Sequence, residues 1–213
     1  MARISNGILG EFTGRAGNVS GYVRHGQNFL RSLPRKSNKA MGPKRLAQQQ
    51  KIKVCNAFTT AFTGTGFFNT TFPAYGTTGS GYNRATSALM NQAVVGSYPN
   101  TTIAWPKVLI SRGPLPSAEY AGVASDSDGN IIFSWTDNTG TGTAKENDKA
   151  VLVAWFPELK QVVFNRDAAL RSGCFAILAA GAFKGHVAET WIGFISHDER
   201  DAADSVYTGS VQL

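Results

Sequence analysis

From residue 101 onward, turn signals cut the chain into short apolar stretches spaced too closely for helices. The stretches fall at Thr102–Ser111, Tyr120–Ser125, Asn130–Thr136, Lys149–Phe156, Gln161–Asn165, Cys174–Ala180, Val187–Ser196 and Val206–Leu213. Ser127-Asp-Gly-Asn, Asn138-Thr-Gly-Thr-Gly and Pro157-Glu-Leu-Lys lie between them as turns. Nothing in this stretch is long enough to form the helical crossovers that parallel strands need. The pattern therefore predicts a mainly β fold, an antiparallel sandwich of seven or eight strands. Trp135, Trp155, Trp191 and Phe194 are the expected core between its sheets.

Upstream the pattern changes twice. Pro43 suits a first helical turn, and Leu46, Val54, Ala57, Phe58, Ala61 and Phe62 recur on one helical face up to Gly64. A loop with aromatic anchors over residues 64–80 and a second helix over Asn83–Val95 complete a two-helix connecting segment, 43–100. Residues 1–42 form the third region, ahead of the sandwich at 101–213. Here Gly10, Gly14, Gly17 and Gly21 would share a helical face, and each would cost about 1 kcal/mol relative to Ala. Extended chain with bends is the better solution. Tyr22, Val23 and Phe29 about His25-Gly26 predict a two-stranded hairpin, and a lone hairpin needs something to dock on.

Charge follows the same division. Residues 1–53 hold eleven Lys/Arg and one acid, Glu11, whereas residues 54–213 hold ten Lys/Arg and thirteen Asp/Glu. A +10 leader thus precedes a −3 body. That asymmetry calls for a partner, either a polyanion such as nucleic acid or the acidic body of another copy. The residues expected to make those contacts are Arg15, Tyr22, Val23, Arg24, Phe29, Arg31, Leu33, Arg35, Lys36, Lys39, Lys44 and Arg45. Among them Arg24, Arg31, Arg35 and Lys36 would steer, and Tyr22, Val23, Phe29 and Leu33 would anchor.

Signals for chemistry are weak by comparison. Cys55 and Cys174, the two cysteines, have no C-x-x-C spacing and read as small buried hydrophobes. His25, His186 and His197 show no paired-ligand spacing, and no serine stands in a G-x-S-x-G elbow. Asp126-Ser-Asp-Gly-Asn130 places its glycine too early for a calcium loop and has no closing glutamate, so it reads as a hairpin turn. Gly76-Thr-Thr-Gly-Ser and Gly140-Thr-Gly-Thr lack the P-loop pattern. No catalytic residue, metal or cofactor is expected. The longest apolar stretch, Cys174–Phe183, is about half a membrane span. The N-terminus has no apolar core followed by a cleavage site, so synthesis in the cytoplasm without classical secretion is expected.

With these segments placed, the chain resembles a family of unknown function common in Bacteroidota. The resemblance rests on Gly14-Arg-Ala-Gly17-Asn-Val19, the hairpin leading to Arg31-Ser-Leu-Pro34, and Ser111-Arg-Gly-Pro-Leu-Pro116. Trp135-Thr-Asp137, Asp148-Lys-Ala150, Ile192-Gly-Phe194 and Ser205-Val-Tyr-Thr-Gly209 complete it. It implies an immunoglobulin-like or fibronectin-like sandwich behind a glycine-rich front and carries no activity. The expectation is therefore a non-enzymatic structural protein, self-associating head to tail through its arm into a homo-oligomer, fibre or shell. The competing expectation is a virion or nucleoprotein component that binds nucleic acid with the same basic arm.

Overall fold

A computed structural model describes residues 12–24, 26–35 and 40–213, together with the backbone of residues 3–4. His25, Lys36 and Lys39 lie outside the described residues, as does Gly10. The chain divides into two compact units, Met1–Met41 and Gly42–Leu213.

The first unit is an antiparallel sheet in the order β1-β2-β3-β4: β1 (Arg3–Ile4), β2 (Phe12–Ala16), β3 (Val19–Arg24) and β4 (Gln27–Ser32). The expected hairpin is its β3–β4 half, with Tyr22 opposite Phe29 and Arg24 opposite Gln27. On the other side β2 pairs with β3, Arg15 opposite Ser20 and Gly14 opposite Gly21. The glycines thus serve strands that pair with one another. Gly21 is buried beneath Phe12, and any Cβ there would collide with the Phe12 ring and carbonyl. That close approach needs glycine.

In the second unit, Pro43 opens α1 (Pro43–Thr59), which tightens into a 3-10 turn over Thr60–Phe62. The expected aromatic loop contains a further short helix, α2 (Phe67–Thr71), which buries Phe67 and Phe68, with buried Phe72 following. Then comes α3 (Gly81–Gln92), capped by Ser80, whose hydroxyl accepts the Asn83 N–H at 3.3 Å. The aromatic spacing that marked anchors is thus satisfied by a third helix.

Nine further strands follow, of which β5 (Val94–Val95) and β6 (Thr102–Ile103) form a two-stranded ribbon. The expected strand over 102–111 stops at Ile103. Pro106, which has no N–H to give a ladder, lies in a 3-10 turn over Trp105–Lys107, and the Ile110 N–H goes to the Ser205 hydroxyl at 2.9 Å. The remainder are β7 (Glu119–Ser125), β8 (Ile131–Thr136), β9 (Lys149–Phe156), β10 (Gln161–Asn165), β11 (Phe175–Leu178), β12 (Val187–Ile195) and β13 (Val206–Gln212). They make two antiparallel sheets, β11-β8-β7 and β10-β9-β12-β13. The described residues are mainly β, in four antiparallel sheets with three α-helices.

Strand β9 organises the layers. Its Ala150, Leu152, Ala154 and Phe156 face β8 and β11 in one core, while Val151, Val153 and Trp155 face the helices in a second. All seven are almost fully buried. Buried on both faces, β9 reads as an unbroken apolar run instead of alternating. Two of the four aromatics expected between the sheets are on the other side. Trp135 and Phe194 do meet there, 5.9 Å apart, but Trp155 and Trp191 pack under α1, where Phe58 lies 5.2 and 6.0 Å from them.

Candidate interaction surface

The pleat of the N-terminal sheet sorts its side chains into two unlike faces, because residues alternate along each strand and direct partners share a side. One face carries Arg15, Ser20, Tyr22, Arg24, Gln27, Phe29 and Arg31. The other carries Phe12, Gly14, Ala16, Val19, Gly21, Val23, Asn28, Leu30 and Ser32. A cationic, aromatic face is thus backed by an apolar one. Val23, expected to anchor beside Tyr22 and Phe29, is on the opposite side from both.

On the cationic face, Tyr22 and Phe29 stack with centroids 5.4 Å apart and planes 17° from parallel. The Arg31 guanidinium lies 5.5 Å from the Tyr22 centroid, within cation–π range. Arg31, Tyr22 and Phe29 therefore form one continuous column. Arg15 and Arg31 flank Ser20 in one cross-strand row, and Arg24 stands beyond the aromatic row at the hairpin end. Successive rows are about 7 Å apart. Among the described residues no carboxylate pairs with any of these arginines.

On the apolar face Leu30 is 68% exposed and Val19 and Val23 about 40%. All six residues of β4, the outermost strand, are exposed. Beyond it Leu33 is half-buried, its N–H bonded to the Asn18 carbonyl at 2.8 Å, and Arg35 is exposed. Lys44 and Arg45 are exposed in the first turn of α1, which contains no acid. Cations at a helix N-terminus oppose the macrodipole, so their placement is not explained by helix stability.

The body holds its polar groups inward. Arg171 is fully buried: Nε donates to Asp148 at 3.1 Å, Nη1 to Asn138 at 2.7 Å and Nη2 to the Pro116 carbonyl at 3.1 Å. Its guanidinium sits 3.9 Å from the Phe194 centroid, and its carbonyl accepts the Trp135 indole N–H at 2.7 Å. Burial pulls its pKa down while Asp148 pulls it up. A guanidinium so engaged, and fully buried, ties β8, β12 and two loops together. Sequence reasoning missed it, since Arg171 falls between two expected strands and in none of the motifs. Nearby, a Cβ at Gly193 would strike the Ser111 hydroxyl, which joins two of the resemblance motifs by close packing.

The remaining candidates for chemistry sit apart. The Asp126 carboxylate accepts the N–H groups of Asp128 and Asn130 and the Asn130 amide at 2.8–2.9 Å, which closes the β7–β8 turn. His186 contacts Glu158 at 2.8 Å, and His197 is in an exposed turn. Cys55 is buried as expected. Cys174 is only half-buried, in a left-handed conformation with φ 62° ahead of β11. Among the described residues no three His, Cys, Asp or Glu side chains cluster so as to hold a metal, and no helix is long and apolar enough to cross a membrane.

A family model described as "Family of unknown function (DUF6266)" matches residues 11–209, from the edge of β2 into β13. The chain belongs to this family. The DUF6266 match spans both compact units, with strands β2 to β4 inside it. Membership transfers no activity. No curated protein and no solved structure matches the chain.

Proposed function

We propose that this protein is a non-enzymatic structural component that self-associates through its N-terminal sheet. The sheet of one copy docks on the body of the next, head to tail, building a homo-oligomer, fibre or shell. The observation that carries this reading is the exposed apolar face of Val19, Val23 and Leu30 in a unit of its own. Covering the exposed part of these side chains gains about 1–2 kcal/mol each. Residues 1–41 carry a net +6, and residues 54–213, the part of the body beyond the basic start of α1, carry a net −3, so unlike charge favours contact between copies.

The receiving surface in this reading is the open edge of β11, where Phe175 and Ile177 are 60% and 53% exposed on one side of an outermost strand. Exposed edges accept added strands. A contact between two unlike surfaces propagates unless rotation closes it. We read the body as an immunoglobulin-like sandwich of the fibronectin kind. In support, strands β7 to β13 taken as A, B, C, C′, E, F and G give the orders E-B-A and C′-C-F-G. With no strand beyond E among the described residues, the β11 edge stays available.

Light scattering tests the reading with two double variants, Val23→Ser/Leu30→Ser on the leader and Phe175→Ser/Ile177→Ser on the body. Both are expected to lower the particle mass of the full-length protein. Unchanged assembly in both would reject docking through these surfaces.

A further inference from the structure

We propose that the cationic face of the N-terminal sheet is a binding site for single-stranded nucleic acid. It uses the side of the sheet opposite the docking face and does not depend on self-association. Single strands are held by cations that track the phosphates and by aromatic rings on which bases stack. Both elements are present in register. The Arg31–Tyr22–Phe29 column is already built, and Phe29 has Tyr22 as its only ring neighbour among the described residues. A base continues the column on the far side of the Phe29 ring. The phosphates on either side of that base meet Arg24 at one end and Arg15 with Arg31 at the other.

Three features favour this occupant over an acidic protein surface. The rings are stacked with each other and exposed, where a protein interface would require only apolar cover. No carboxylate among the described residues neutralises the arginines. Within the same unit a further cation, Arg35, follows β4 and is exposed, as suits a polymer of repeating charge. Duplex bases are already stacked on one another, so the column selects unpaired strands. Deoxyribose and ribose strands share the chemistry that the face reads.

Fluorescence anisotropy of the full-length protein with labelled oligo(dT) and oligo(rU), against a duplex and heparin, tests the proposal. Three arginines on the phosphates predict a salt slope near −2, or about 20-fold weaker binding between about 50 and about 200 mM salt. Phe29→Ala is expected to weaken binding about tenfold or more without changing that slope. Arg24→Gln with Arg31→Gln should flatten it. Ser32→Ala, on the opposite face and outside the docking residues, should leave binding unchanged, and circular dichroism checks that each variant keeps its sheet. If Phe29→Leu, which preserves bulk, also weakens binding, the loss is one of stacking. No saturable binding at low salt would overturn the proposal. So would heparin and duplex binding as tight as that of the oligonucleotides with Phe29→Ala neutral, which leaves only generic charge. Loss of self-association in the arginine variants without oligonucleotide binding would make the face a protein interface and overturn it equally.

Discussion

The two units of this chain handle their costly residues in opposite ways. The body takes an arginine, Arg171, entirely out of water and gives each of its three kinds of nitrogen a partner. The N-terminal sheet leaves Leu30 68% exposed and keeps its arginines free of carboxylate partners among the described residues. The buried guanidinium serves the body's own packing, while Phe175 and Ile177 remain exposed on β11. A unit that exposes aliphatic side chains on one face and uncompensated cations on the other has unused interaction capacity. Under the proposed function the body is a scaffold and the sheet engages the partner.

The contrast can be broken most directly at Arg171. Arg171→Leu leaves the Asp148 carboxylate buried without its cation and is expected to cost the body about 4 kcal/mol, measured by urea unfolding. Replacing Asp148 as well should recover much of that loss. Next, Phe58→Ala should cost about 3 kcal/mol by opening a cavity between α1 and the sheet tryptophans. Loss well below that would mean that the helices are not a true third layer. Smaller for the body, but decisive for the leader, is Gly21→Val. It should open the N-terminal sheet to protease while changing body stability by less than about 0.5 kcal/mol. A large shift in the body transition would show that the units are not independent.

The smallest effect concerns acid. Asp126 is held below the usual carboxylate range chiefly by the Asn130 amide, Asp137 by the Thr139 hydroxyl and Asp198 by the Ser196 hydroxyl. Depressed pKa values stabilise the fold above the unfolded value of about 4, and that contribution is lost as pH falls through the folded ones. The body should therefore weaken modestly below about pH 4. The leader sheet, whose residues 12–35 include no acid, should not respond. Amide exchange measured against pH separates the two.

Local rules made much of this architecture readable in advance. Strand β9 was legible to the residue, and the hairpin of Tyr22 and Phe29 followed from a two-residue turn. What escaped prediction depended on contacts distant in sequence. Nothing local distinguishes Trp155, facing α1, from Trp135, facing the opposite sheet, because β9 is apolar on both sides. Arg171 meets partners up to 55 residues away, so no spacing rule could find it. The candidate surface was legible as a list of residues but not as two faces. Separating Val23 from Tyr22 needs the strand pairing as well as the composition.

That the N-terminal sheet joins copies of this chain can be tested by measuring mass against concentration in light scattering. Full-length protein and a shortened chain of residues 42–213 would be compared under the same conditions. The full-length chain should grow in mass as concentration rises, and the shortened chain should remain a folded monomer throughout. If both remain monomers, or if both assemble alike, the leader is not what joins the copies.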